Sequence, residues 1–155
     1  MSAAPDDVAA LTALLGRPPQ AEFEVVLRDG AGAPVVVRNA PFTVDGRPMP
    51  TRYWLADRDV SAAVSRIESA GGVRAAEAEV DPAALRRAHQ AYADERDGAV
   101  PAGHTGPRPA GGVGGTRLGV KCLHAHYAWY LVGGDDPVGR WTARALEAAP
   151  LEAHA

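Results

Sequence analysis

A single cysteine, Cys122, stands in a chain of 155 residues. An internal disulfide is therefore impossible, and so is any zinc site built from several thiolates. Lysine is equally scarce: Lys121, beside that cysteine, is the only one. Positive charge is not in excess either. The formal net charge is -3, which leaves no global field to hold DNA or RNA, so nucleic acid is not expected as a partner. No apolar run approaches the roughly 20 residues that cross a bilayer, so no membrane association is expected. The opening Met-Ser-Ala-Ala-Pro-Asp-Asp is acidic and lacks the apolar centre of a secretory signal, which points to the cytoplasm. Aromatic residues make up only 6%, but hydrophobic residues reach 46% and charged ones 23%, a balance that lets a chain of this length bury a core.

What is present is punctuated by glycine and proline. Asp6 or Asp7 can cap a first helix with Val8, Leu11 and Leu15 on one side, stopped by Gly16 and Pro18-Pro19. Residues 1–19 thus read as an N-terminal helix and linker. Residues 22–28 alternate, with Phe23, Val25 and Leu27 facing one way. Asp29-Gly30-Ala31-Gly32 then turns the chain into a return strand at 35–38. Residues 42–44, the Asp45-Gly46 turn and residues 52–55 add one or two further strands. The period then changes to 3.6. Val60, Val64 and Ile67 stripe a helix ended by Gly71-Gly72, and Asp81-Pro82 opens another that runs through Leu85, Ala88 and Tyr92 to about Asp97. Residues 98–117 form a Gly/Pro-rich loop holding His104; seven of the 17 glycines lie between Gly103 and Gly119. A loop this long inside a domain is either functional or mobile. A helix over 118–132 follows, closed by Gly133-Gly134. Asp136-Pro137 starts a last helix with Val138, Trp141 and Ala145, and residues 149–155, with His154, read as a frayed tail. The expectation is a single α+β domain over 20–148, with an N-terminal antiparallel meander of three to four strands packed against four to five helices.

Chemistry-bearing residues concentrate between 111 and 139. In a helix over 118–132, Cys122 and His126 lie one turn apart on one face, where they can share a metal or form a thiol–imidazole pair, while His124 points elsewhere. In a strand, Cys122, His124 and His126 would all project from one face toward one metal. The apolar spacing of Val120, Leu123, Tyr127 and Leu131 favours the helix. A divalent ion such as zinc would take His104, Asp135 or Asp136 as a further ligand across the loop. Alternatively Cys122, His126, His104 and Asp135 could do nucleophilic or acid–base work, which needs a thiol of lowered pKa beside an imidazolium or a helix N-terminus. The plainer reading is a buried cysteine acting as a small hydrophobe, with histidines that only hydrogen-bond. A separate set of atoms suits an anion: the main chain at Gly114, Gly115 and Thr116, with the charges of Arg117 and Lys121. The pattern is neither a Walker loop nor a Rossmann fingerprint. Asp136 before Pro137 reads as an N-cap. His89 reads as structural or exposed on its helix, and Tyr53-Trp54 as core rather than a stacking platform.

Three strings carry a family resemblance: Gly-Val-Gly-Gly-Thr-Arg at 112–117, Val-Lys-Cys-Leu-His-Ala-His-Tyr-Ala at 120–128 and Gly-Gly-Asp-Asp-Pro-Val-Gly at 133–139. They resemble the DUF501 family, a bacterial and mainly actinobacterial family of unknown function. Thr-Arg-Tyr-Trp-Leu at 51–55, Ser65-Arg66 with Gly71-Gly72-Val73, and Pro-Ala-Gly-His-Thr-Gly at 101–106 extend the likeness over roughly residues 20–145. The resemblance implies no established activity. Relatives are often encoded near a septum-formation protein and an exopolyphosphatase, which implies a link to cell division or phosphate metabolism by association alone. Some relatives carry a cysteine soon after the Tyr-Trp-Leu-like strand; Ala56-Asp57 stand there in this chain, so the resemblance implies that this cysteine is no essential ligand here and puts a two-cysteine metal site in doubt.

The leading expectation is a small cytoplasmic protein that binds an anionic, phosphorylated small molecule, with a divalent metal, as a hydrolase or group transferase. The alternatives are a non-catalytic adaptor for a cell-division protein, with the Cys/His cluster structural, and a metal or thiol-redox sensor.

Overall fold

The computed structural model describes residues 3–149. Helix α1 (Pro5–Leu15) has proline and two acidic residues in its first turn, and Gly16 closes it in the left-handed region at φ 74°. Three strands follow, β1 (Ala21–Arg28), β2 (Pro34–Thr43) and β3 (Tyr53–Leu55), in an antiparallel sheet of order β1-β2-β3. This is the expected meander. Residues 42–43 continue β2 rather than starting a strand, and Phe42 bridges Pro48 across the Asp45-Gly46 turn, so the sheet stays at three strands.

Both faces of the sheet are covered. Val36 with Tyr53 and Leu55 faces the main core, while the adjacent Val37, with Phe23 and Ala56, packs on Leu11 of α1. The expectation that Phe23, Val25 and Leu27 share a face fails at Leu27. Val25 pairs with Val37 but Leu27 with Val36, two residues against one, and this bulge swings Leu27 onto the main core. An arginine–carboxylate pair, Arg28 to Asp7 at 2.8 Å, ties α1 to the end of β1.

Five more helices complete the described residues: α2 (Arg58–Ser69), α3 (Gly72–Glu79), α4 (Pro82–Asp97), α5 (Leu123–Leu131) and α6 (Pro137–Ala148). Six helices exceed the expected four to five because Gly71-Gly72 does not end the helical stretch. Gly71 takes φ 91° and Gly72 becomes the first residue of α3, where a Cβ would lie 2.6 Å from Ile67. Asp57, Asp81 and Asp136 each cap the following helix with their side chains. Helix α5 is the buried centre. Leu123, Ala125, His126, Ala128 and Trp129 are all buried, and Tyr92 of α4 stands edge-on to Trp129 at 5.3 Å. Among the described residues no helix is long and apolar enough to cross a membrane. The expected tail beyond Ala149 lies outside the described residues.

The segment 98–117 is a loop, as expected, holding one short 3-10 turn at Val113–Gly115. Helix α4 pins it from below. Arg96, 1% exposed, donates to the carbonyls of Pro50 and Ala110 and to Asp97. His89 accepts the Val113 N–H at Nδ1 (3.1 Å) and donates from Nε2 to the Gly119 carbonyl (2.8 Å). A buried histidine satisfied on both nitrogens is a structural one.

Candidate functional site

Helix α5 starts at Leu123, not at 118. Two carboxylates keep 118–122 out of the helix. Glu77 of α3 accepts the Val120 N–H at 2.7 Å, and Glu68 of α2 accepts the Leu123 N–H at 2.7 Å. Gly119 takes φ 67°, in the left-handed region that favours glycine, with the Glu77 carboxylate packed against it. Cys122 is therefore the N-cap of α5, in extended backbone at φ -152° and ψ 154°. The one-turn relation between Cys122 and His126 is lost with it: the thiol faces outward and the imidazole inward.

Four of the residues singled out in the sequence do converge. Gly114, Lys121, Cys122 and His124 line one cleft of about 480 Å³, together with Thr51, Trp54 and Ser61. The cleft lies where β3, the start of α2 and the N-terminus of α5 meet. His124 is held across it, with Nδ1 3.2 Å from Glu68 Oε2 and Nε2 3.0 Å from the Ser61 carbonyl. Burial pushes the Cys122 thiol above its ordinary pKa. The amides of Ala125 and His124 pull it down and the Glu68 charge pushes it up, but desolvation outweighs them. A helix N-terminus beside a cysteine is thus not enough here to make a thiolate.

The remaining candidates lie elsewhere. His126 is fully buried, with Nδ1 2.6 Å from Asp136 Oδ2, and its Nε2 has no partner. Asp136 is the N-cap of α6 as expected, but also the partner of that imidazole. Asp135 is an exposed surface residue paired with Arg140 at 2.8 Å. His104 stacks on Phe42 with ring centroids 4.2 Å apart. Thr116 donates its hydroxyl to the Leu118 carbonyl, and Gly115 faces Pro50. Arg117 lines a different cleft, on the α4 side of the glycine loop. Among the described residues no group of three or more His, Cys, Asp or Glu side chains is placed to hold a metal ion, so Cys122, His124 and His126 do not form the expected ligand set.

Sequence reasoning missed Trp54, Ser61 and Glu68. The expectation that Tyr53 and Trp54 are both core fails because β3 alternates: Tyr53 is buried and Trp54 is 45% exposed. The period-2 rule applied to a three-residue strand would have separated them. Glu68 and Ser61 carry no local signal, because their roles depend on where α2 meets α5.

No curated protein and no solved structure matches this chain. A family model described as "Protein of unknown function (DUF501)" matches residues 25–144, which include most of the sheet, the glycine loop and the whole lining of the β3–α2–α5 cleft. The chain belongs to the DUF501 family.

Proposed function

We propose that the protein binds a small organic anion with a flat apolar body in the β3–α2–α5 cleft. The observation that carries this reading is the convergence of the only lysine, an exposed indole and a few fixed polar groups on one largely apolar hollow. Lys121 supplies the one full positive charge of the lining and would meet a carboxylate or phosphoryl group. Trp54 offers a face to stack on. His124, with both ring nitrogens taken by Glu68 and Ser61, would form a fixed wall of the cleft and not a hydrogen-bonding group for the ligand. The raised pKa of Cys122 supports binding over thiol chemistry, since the neutral thiol is a poor nucleophile.

A thermal-shift and tryptophan-fluorescence screen of aromatic carboxylates, nucleotides and sugar phosphates tests it. At least one class is expected to raise the melting temperature and quench Trp54, with about tenfold weaker binding after Lys121→Ala and after Trp54→Ala. If no compound binds, or if binding survives both substitutions unchanged, the reading is wrong.

A further inference from the structure

On the other side of the same glycine loop lies a second cleft, of about 440 Å³, between α4 and residues 109–118. It shares no lining residue with the first. Three guanidinium groups border it: Arg86 and Arg96 from α4, and Arg117 from the loop. Every arginine–carboxylate pair among the described residues involves Arg28, Arg38, Arg47, Arg96 or Arg140, so Arg86 and Arg117 stand outside them. Arg96 is 1% exposed. Its Nε is committed to Asp97 and its Nη1 to the Pro50 and Ala110 carbonyls, which leaves Nη2 as its remaining donor.

The opposite wall is bare main chain, and the packing enforces this. A Cβ at Gly111 would lie 2.3 Å from the Gly115 carbonyl oxygen, and one at Gly112 would lie 2.6 Å from the His89 ring. The loop and His89 thus hold residues 111–112 as a wall without side chains. Three guanidiniums against the single carboxylate of Asp97 leave this cleft at about two positive charges, in a chain of net charge -3. That balance matches a phosphoryl group, which carries close to two negative charges at neutral pH. A lone carboxylate would neutralise only half of it. Guanidinium forks also fit phosphate oxygens in pairs. The cleft has room beyond one phosphoryl group, and Leu118, 73% exposed at its rim, offers apolar surface to an organic remainder.

We infer that this cleft binds a small phosphate monoester, with Arg86, Arg96 and Arg117 gripping the phosphoryl group over Gly111-Gly112. The assignment does not depend on the first cleft being a binding site.

Isothermal titration at fixed ionic strength tests it with glycerol 3-phosphate, inorganic phosphate and acetate. Glycerol 3-phosphate is expected to bind at least tenfold tighter than acetate and tighter than inorganic phosphate. The exposed pair Arg86→Ala with Arg117→Ala should weaken it at least tenfold, with the far-ultraviolet circular dichroism unchanged. Arg117→Lys, which keeps the charge but not the fork, should weaken it less. Lys121→Ala should leave it unaffected, which separates this site from the first cleft. Binding no better than acetate overturns the inference, as does binding unchanged in the double variant. Inorganic phosphate binding as tightly as the ester overturns the ester assignment.

Discussion

The Nδ1–H of His126 donates to Asp136 Oδ2 across 2.6 Å, and neither side chain reaches solvent. The second carboxylate oxygen accepts the amides of Val138 and Gly139, so Asp136 joins the start of α6 to the middle of α5. Removing one partner of such a buried pair strands the other and also uncaps a helix. Asp136→Ala is expected to destabilise the fold by about 3–5 kcal/mol. Asp136→Asn keeps a capping oxygen and should cost less. Urea denaturation of both variants checks this, and a loss below about 1 kcal/mol for Asp136→Ala would contradict it.

Gly112 sits on the His89 ring with no room for a methyl group. The Gly112→Ala side chain must displace the ring, and the ring is held by the Val113 amide and the Gly119 carbonyl. A cost of about 1–3 kcal/mol is expected from overpacking, with faster amide exchange at Val113 and at neighbouring loop residues as His89 lets go. Gly30→Ala is the control, because nothing lies within 4 Å of its Cβ position. Equal stability of the two variants would refute the packing account.

Local chemistry made most of the fold legible before any coordinates. Aspartate before proline marked α4 and α6, alternation marked β1, and the Asp-Gly turn lay where it was expected. What the sequence hid was non-local. The start of α5 is set by Glu68 of α2, 55 residues before its partner Leu123, and by Glu77 of α3, 43 residues before its partner Val120, and both are invisible to any periodicity. The same cause split the candidate site. Lys121, Cys122 and His124 belong to the extended lead-in and first turn, so they face a cleft. His126, one residue pair further on, falls inside the helix and is drawn into the core by Asp136. The anion set divided for a similar reason, because the 3-10 turn at Val113–Gly115 puts Gly114 and Arg117 on opposite sides of the loop.

The Cys122 thiol lies above its ordinary pKa because burial disfavours the thiolate. At neutral pH its alkylation by iodoacetamide should be slower than that of glutathione, and the rate should keep rising with pH beyond the range where a free cysteine levels off. Unfolding in urea should abolish the difference. A rate at pH 7 equal to or above that of free glutathione would show that the α5 amides outweigh desolvation, and would reopen a nucleophilic role.

Tyr92 ties α4 to the start of β3. Its hydroxyl oxygen accepts the amides of Arg52 (2.6 Å) and Tyr53 (3.0 Å), and burial raises its pKa from 10.0 to about 12. The folded state therefore holds this proton more tightly than the unfolded chain. Its contribution is fully present below pH 10 and is lost as the pH climbs toward 12, because only the unfolded chain gains from ionising. The loss should reach on the order of 2 kcal/mol across that window. Tyr92→Phe abolishes this alkaline slope but leaves two buried amides without their acceptor, so the variant should be less stable at pH 7 and flatter above pH 10. Denaturation midpoints measured from pH 7 to pH 11 in both proteins test the pair of effects together. An unchanged alkaline slope in Tyr92→Phe would assign the titration to another tyrosine, and Tyr53, buried with its hydroxyl on Glu95 and its own pKa raised, is the next to examine.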